Sequence, residues 1–263
     1  MYAWIIDSLS AHGTVIAHDR PGLGRSAAVD ARPDGEARAR QLNEVIEALK
    51  IEGPFVLIGH SIAALYLRIY FQRNPRNVLG LVFLDATHSL VWRLIQGRTP
   101  ITERGRRFIA RGAQWVGIKR LPFSMRRANA APWSTLPVES RREVERLAGE
   151  TIPAITESDE HAMLALASKQ ADACGDLGDT PLLVITGGMR TAEELRYATD
   201  PDAFMETWML LQRDLVSLSS RGIHRVIADA GHCNLVTDKQ YADQVCAEIV
   251  AFTSFIGLEN LRT

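Results

Sequence analysis

The chain has 263 residues, 46% of them hydrophobic, 23% charged and 7% aromatic, with 30 Lys+Arg against 31 Asp+Glu for a net charge of −1. The length suits one large domain or two small ones. The composition excludes wholesale disorder and collagen-like repeats, and a charge this close to zero excludes a general nucleic-acid binder. Apolar runs such as Val78–Leu84 fall far short of the roughly 20 residues of a membrane span, and Met1–Ala11 has neither the basic flank nor the long apolar run of a secretory signal. Three scattered cysteines (Cys174, Cys233 and Cys246) make neither a disulfide framework nor a zinc cluster. The expectation is a reducing, cytoplasmic setting.

In chain order, short apolar runs alternate with helical patterns, which predicts a parallel α/β sheet. Trp4–Ser10 reads as a helix and Thr14–His18 as a short β-branched strand. Glu36–Lys50 has helical spacing and is broken by Gly53-Pro54. Phe55–Ile58 and Val78–Leu84 read as buried strands, with a helix over Ser61–Arg73 between them that Asn74-Pro75 ends. Leu182–Thr186 and Ile223–Ala228 are the remaining strands, separated by a helix over Asp202–Ser219. Thr237-x-x-Gln240 reads as a capping box before a closing helix with Tyr241, Val245, Ile249 and Phe252 on its apolar stripe. Between Thr87 and Asp179 the strand signal disappears. Helices are expected around Glu103–Val116 and Val138–Glu150, and over Glu157–Ala173 behind a Thr156 cap. The expected organisation is therefore a core of residues 1–86 and 179–263 with a helical cap over 87–178, an insertion of about 90 residues that is too long for a loop.

Residues 55–65 read FVLIGHSIAAL. A buried strand runs through Gly59-His60-Ser61-Ile62-Ala63 straight into a helix, close to the G-x-S-x-G elbow, with Ala63 at the final glycine. Such a turn lifts the serine oxygen clear of the sheet. The residues two before and two after the serine lie against each other and must be small. The Ile62 amide falls at the helix N-terminus, where it can donate to a developing oxyanion. The bland alternative is a helix cap at Ser61. His232, in Asp229-Ala230-Gly231-His232-Cys233-Asn234, follows the last strand, at the edge of a parallel sheet where open α/β folds place their ligands. It is the candidate base. His60 is expected to pack beside the elbow, His224 to be structural, His12 and His161 to lie on the surface, and His18 and His88 to fall at strand ends. For the acid that orients His232 the reading favours Asp85, directly after Val78–Leu84. The more usual place is the loop after Leu182–Thr186, which reads Gly187-Gly188-Met189-Arg190-Thr191 and has no early Asp. Glu193, Glu194 and Asp200 are the alternatives there.

These motifs resemble the α/β-hydrolase family. His18-Asp19-Arg20-Pro21-Gly22-Leu23-Gly24-Arg25-Ser26 looks like its D-R-x-G-x-G-x-S segment, Gly59–Ala63 like its elbow, LVFLDATH like the strand and turn after the elbow helix, and AGHCNLV like its histidine loop. The resemblance implies a sheet flanked by helices, a cap over the site, and acyl or ester chemistry at Ser61 with no cofactor and no metal. The expected substrate class is a small ester, lactone or amide. Asp85 matches the place where a minority of the family, including some haloalkane dehalogenases, keeps its acid, although those enzymes use an aspartate nucleophile where this chain has Ser61. The family's His-Gly loop, source of the second oxyanion donor, and a strand between Thr14–His18 and Phe55–Ile58 have no counterpart in the sequence. This leaves three readings: an enzyme with an altered sheet, a truncated or mis-started chain, or a non-catalytic relative that binds a small molecule.

The net charge hides an asymmetry. Arg93 to Arg127 holds ten basic residues and one acid, for +9 against −10 in the remainder. Interleaved Trp92, Phe108, Trp115 and Phe123 allow a cap that touches an anionic membrane. The favoured reading is a solvated arginine face over an apolar cap interior. Oligomeric state has no signature in the sequence.

Overall fold

The computed structural model describes residues 1–91, 133–147, 150–195 and 200–260, together with positions 108, 112 and 115. The basic stretch 93–127 and the helix expected over 103–116 lie outside the described residues apart from those three positions.

Four strands form one all-parallel sheet in the order β1 (Phe55–His60), β2 (Val78–Leu84), β3 (Leu182–Gly187), β4 (Gly222–Ile227). The two central strands are buried on both faces, which is why their sequences are apolar without interruption. Side chains still alternate: Leu81, Phe83, Leu182 and Val184 face one cluster, and Val82, Leu84, Leu183 and Ile185 face the other. Helices α1 (Ala3–Ser10), α2 (Gly35–Ala48), α3 (Ala63–Arg73), α4 (Val138–Leu147) and α5 (Thr151–Asp172) precede β3. The short α6 (Ala192–Leu195) and α7 (Pro201–Val216) lie between β3 and β4, and the short α8 (Asn234–Thr237) and long α9 (Lys239–Asn260) close the chain. Residues of α2, α3, α5 and α7 pack in the first cluster, residues of α1 and α9 in the second. The result is a sheet flanked by helices, as the apolar runs and the motif order imply.

Three readings are corrected beyond shifts of a few residues at element ends. Thr14–His18 is not a strand. It pairs with nothing in the sheet, and Ile16 is half exposed. A β-branched run favours a strand only where a ladder is available. The strand that the family places beside this run is not found among the described residues, so β1 is an edge, with Ile58 38% exposed. Helix α5 begins at Thr151, with Glu150 at its N-cap, so Thr156 lies inside the helix instead of capping it. Pro153 is tolerated there because the first turn needs no intrahelical acceptor for its N–H groups. At the last helix the cap is Asp238, whose Oδ1 accepts from Gln240 N at 3.0 Å. Thr237 instead ends α8 and turns its hydroxyl back to the Cys233 carbonyl.

Among the described residues, no helix is long and apolar enough to cross a membrane.

Candidate active site

All four strands point their C-terminal ends at one edge, and each delivers one part of the site. Ser61 follows β1, Asp85 follows β2, the Gly187–Thr191 loop follows β3, and His232 stands in the loop after β4. Register makes the first two neighbours. His60 is opposite Leu84, and the ladder continues through Ser61 N to the Leu84 carbonyl (3.0 Å) and Asp85 N to the Ile185 carbonyl (2.7 Å).

Ser61 has φ +57° and Asp85 φ +41°. Both lie in the left-handed region, at about 1–3 kcal/mol each for a residue with a side chain. At the elbow, a Cβ on Gly59 would come within 3.3 Å of the Ala63 Cβ and 2.7 Å of Leu67 Cδ1. A methyl group at 63 is accommodated while 59 is glycine, and a second one at 59 would crowd both Ala63 and Leu67. This explains how the turn forms with Ala63. Ile62, at φ −58°, is the N-cap of α3, so its amide belongs to the first-turn N–H groups that have no intrahelical acceptor.

The structure brings the three sequence-selected side chains together. His232 Nε2 lies 3.0 Å from Ser61 Oγ, and His232 Nδ1 lies 2.6 Å from Asp85 Oδ2. Nδ1 faces a carboxylate and so carries the proton of the neutral ring. That leaves the Nε2 lone pair for the serine hydroxyl. Asp85 is completely buried and all its acceptor directions are used. Oδ2 also accepts from Arg190 Nη2 at 2.6 Å, and Oδ1 accepts from Trp208 Nε1 at 3.0 Å and Gly187 N at 3.1 Å. Burial by itself would raise this carboxyl's pKa. The His232 hydrogen bond and charge, the Arg190 charge and the Trp208 donor outweigh it and hold the group well below the usual carboxylate range. Asp85 is therefore an anion that accepts the hydrogen bond of the His232 Nδ1–H.

The alternative acids are placed elsewhere. Glu194 accepts from Thr191 N at 2.9 Å and Cys233 N at 3.0 Å, and so staples the histidine loop to the loop after β3. Asp200 caps α7 by accepting from Asp202 N and Ala203 N. The Glu193 side chain lies outside the described set. His60 packs as expected. Its ring lies 4.6 Å, centroid to centroid, from that of His232, and its Nε2–H donates to the His232 carbonyl at 2.9 Å. Burial, then the neighbouring His232, push its pKa down to about 3, so it stays neutral. Burial and the Glu194 charge push the Cys233 thiol up to about 12, which leaves it an inert thiol beside the site. Among the described residues, no group of three or more His, Cys, Asp or Glu is placed to hold a metal ion.

Sequence reasoning missed Arg190, Trp208 and Gln212. Trp208 counts as one more apolar residue on the face of α7, yet its indole N–H reaches the acid. Gln212, fully buried on the next turn, brackets Ala86. Its Nε2 donates to the Ala86 carbonyl at 2.7 Å and its Oε1 accepts from Ala86 N at 3.2 Å. It thereby supports the strained Asp85 backbone. A polar residue within an apolar helical stripe was the available signal. A glycine at position 187 is required by close approach: a Cβ there would lie 2.7 Å from the Ala230 carbonyl of the histidine loop.

The model of the alpha/beta hydrolase family matches residues 1–247. This chain belongs to that family. Among solved structures it is similar to a thermophilic esterase from Thermogutta terrifontis (17% identity, TM-score 0.61, covering 97% of this chain and 85% of that one). It is similar also to the haloalkane dehalogenase DatA from Agrobacterium tumefaciens C58 (17% identity, TM-score 0.61, 96% and 84%). A Gibberella zeae protein described as an AB hydrolase superfamily protein is 34% identical over 79 residues, 28% of this chain and 24% of that protein. The matches to curated relatives span between 15% and 28% of those proteins' lengths.

Proposed function

We propose that this chain is a serine hydrolase that cleaves a small ester, lactone or amide through an acyl-enzyme. The observation that carries the reading is the unbroken line Ser61 Oγ–His232 Nε2, His232 Nδ1–Asp85 Oδ2, at 3.0 and 2.6 Å. In the proposed reaction Ser61 Oγ attacks the carbonyl carbon while His232 Nε2 takes its proton. The Ile62 N–H donates to the oxygen that becomes negative, and Asp85 stabilises the imidazolium. The intermediate collapses, His232 returns the proton to the departing alcohol or amine, and Ser61 keeps the acyl group. A water, deprotonated by His232, then attacks the acyl carbon, and His232 returns that proton to Ser61 Oγ as the acyl–oxygen bond breaks and the acid leaves. No cofactor enters the scheme.

A serine at the elbow also separates this reading from dehalogenation, which the resemblance ties to an aspartate nucleophile. The segment 87–178, which we read as a cap, is tied to the core by ion pairs of the buried Glu160 with Arg20 and Arg38. The proposal is tested by release of p-nitrophenol from short p-nitrophenyl esters, with halide release from a chloroalkane as the control. Ester turnover that vanishes in Ser61→Ala, without halide release, is the expected result. No ester turnover by the folded protein, with a ligand still bound, would instead favour a non-catalytic binding protein.

A further inference from the structure

The buried cation beside the acid has no part in the scheme above. The Arg190 side chain is 3% exposed, so it does not reach a substrate. Its guanidinium has three close partners: Nη2 donates to Asp85 Oδ2 at 2.6 Å, Nη1 donates to the Met189 carbonyl at 2.8 Å, and Cζ lies 4.6 Å from the centre of the Trp208 ring. Trp208 in turn donates to the other oxygen of Asp85. Arginine, carboxylate and indole thus form a closed three-membered ring of contacts. Arg190 also shares with His232 the same carboxylate oxygen.

This arrangement does more than pair a charge. A carboxylate held by one partner can turn about its Cβ–Cγ bond. Here the Gly187 amide and the Trp208 indole occupy Oδ1, and Arg190 occupies one of the two acceptor directions of Oδ2. One direction remains, and it faces His232 Nδ1. The guanidinium fork is rigid and planar, so it fixes a direction where a lysine would supply a point charge. Its backbone anchor at Met189 and the Glu194 staple from Thr191 N to Cys233 N tie that direction to the loop that carries His232.

We propose that Arg190 is the positioning residue that orients Asp85, and through it His232, toward Ser61. The proposal rests on the reading of Ser61, His232 and Asp85 given above. The test compares Arg190→Met, Arg190→Lys and Arg190→Ala, the last with and without added guanidinium chloride below denaturing concentration. Three quantities are read: kcat and KM on a p-nitrophenyl ester, the melting temperature, and the downfield proton resonance of the His232 Nδ1–H in NMR.

A displaced general base costs on the order of 10²-fold. Arg190→Met is therefore expected to lose about that in kcat with KM unchanged, and to lose the downfield resonance. Arg190→Lys recovers part of kcat. Added guanidinium raises kcat of Arg190→Ala saturably and leaves the wild type unaffected. A folded Arg190→Met with wild-type kcat and resonance overturns the proposal. So does a loss that neither lysine nor guanidinium repairs, which is the mark of a merely structural residue. If Arg190→Met does not fold, the lysine and guanidinium arms decide. A wild type that shows the resonance but no turnover refutes the hydrolase reading instead, and the resonance in the variants still reports on Arg190.

Discussion

Two carboxylates are buried beside arginines in this molecule, and they do different work. Glu160, on α5, is gripped by Arg20 through both oxygens at 2.8 Å and by Arg38 at 2.9 Å. It joins the loop before α2, α2 itself and the segment between β2 and β3. Asp85 also holds an arginine, but its second strong partner is a histidine whose far nitrogen faces a strained serine. A buried ion pair alone is therefore a poor mark of a catalytic site, because structural networks produce it equally well. The distinguishing feature at Asp85 is a titratable partner whose second ring nitrogen faces the Ser61 hydroxyl.

Substituting each carboxylate by its amide tests that distinction most strongly. Asp85→Asn is expected to lower kcat about 10⁴-fold, since the ring loses the acceptor that fixes its tautomer. Glu160→Gln is expected to leave kcat within a few-fold while destabilising the fold by about 3–5 kcal/mol, because Arg20 and Arg38 lose their counter-charge. Ester hydrolysis and urea unfolding of the two variants measure both effects. Equal loss of activity in both would erase the difference.

A smaller effect is expected at Gln212→Leu, which leaves the buried Ala86 N–H and carbonyl unpaired. The cost is about 1–3 kcal/mol per group, readable in urea unfolding. A fall in kcat should accompany it, because the Asp85 turn loses its support. Unchanged kcat would limit Gln212 to a structural role.

A dependence on pH separates His60 from Asp85 within the site. His60 has its folded pKa at about 3, below an unfolded value of about 6.5. The unfolded chain thus binds the proton first, and His60 makes the protein lose stability as pH falls from about 6.5 towards 3. The slope approaches about 1.4 kcal/mol per pH unit. Asp85, with its pKa depressed, has the usual carboxylate sign: its contribution is present above an unfolded value of about 3.9 and is lost as pH falls below it. Urea titrations of His60→Asn should be flatter than the wild type between pH 6.5 and 4, whereas Asp85→Asn should be less stable than the wild type above about pH 4 and lose that difference as pH falls below it. A wild-type profile flat from pH 7 to 4 would contradict the assignment of a neutral, buried His60.

Much of the fold is legible in the sequence because burial on both faces leaves uninterrupted apolar runs, as at Val78–Leu84 and Leu182–Thr186. Thr14–His18 misleads for the converse reason: its composition suits a strand, but strand formation depends on a neighbour that local sequence does not encode. Ser61 and His232 are readable from their turns, since an elbow needs small residues at fixed spacing and the histidine loop follows a strand. The other partners of Asp85 are not readable. Arg190 and Trp208 lie 105 and 123 residues beyond it, and only the parallel register of β2 with β3 and the packing of α7 bring them to one carboxylate.

The central claim is that Ser61 is the activated nucleophile. The most direct measurement is labelling of the folded protein with a fluorophosphonate probe, followed by mass spectrometry of the modified peptide. A single adduct on Ser61 is expected, lost in Ser61→Ala and strongly slowed in His232→Ala. No adduct on the folded wild type, or an adduct that persists in Ser61→Ala, would contradict it.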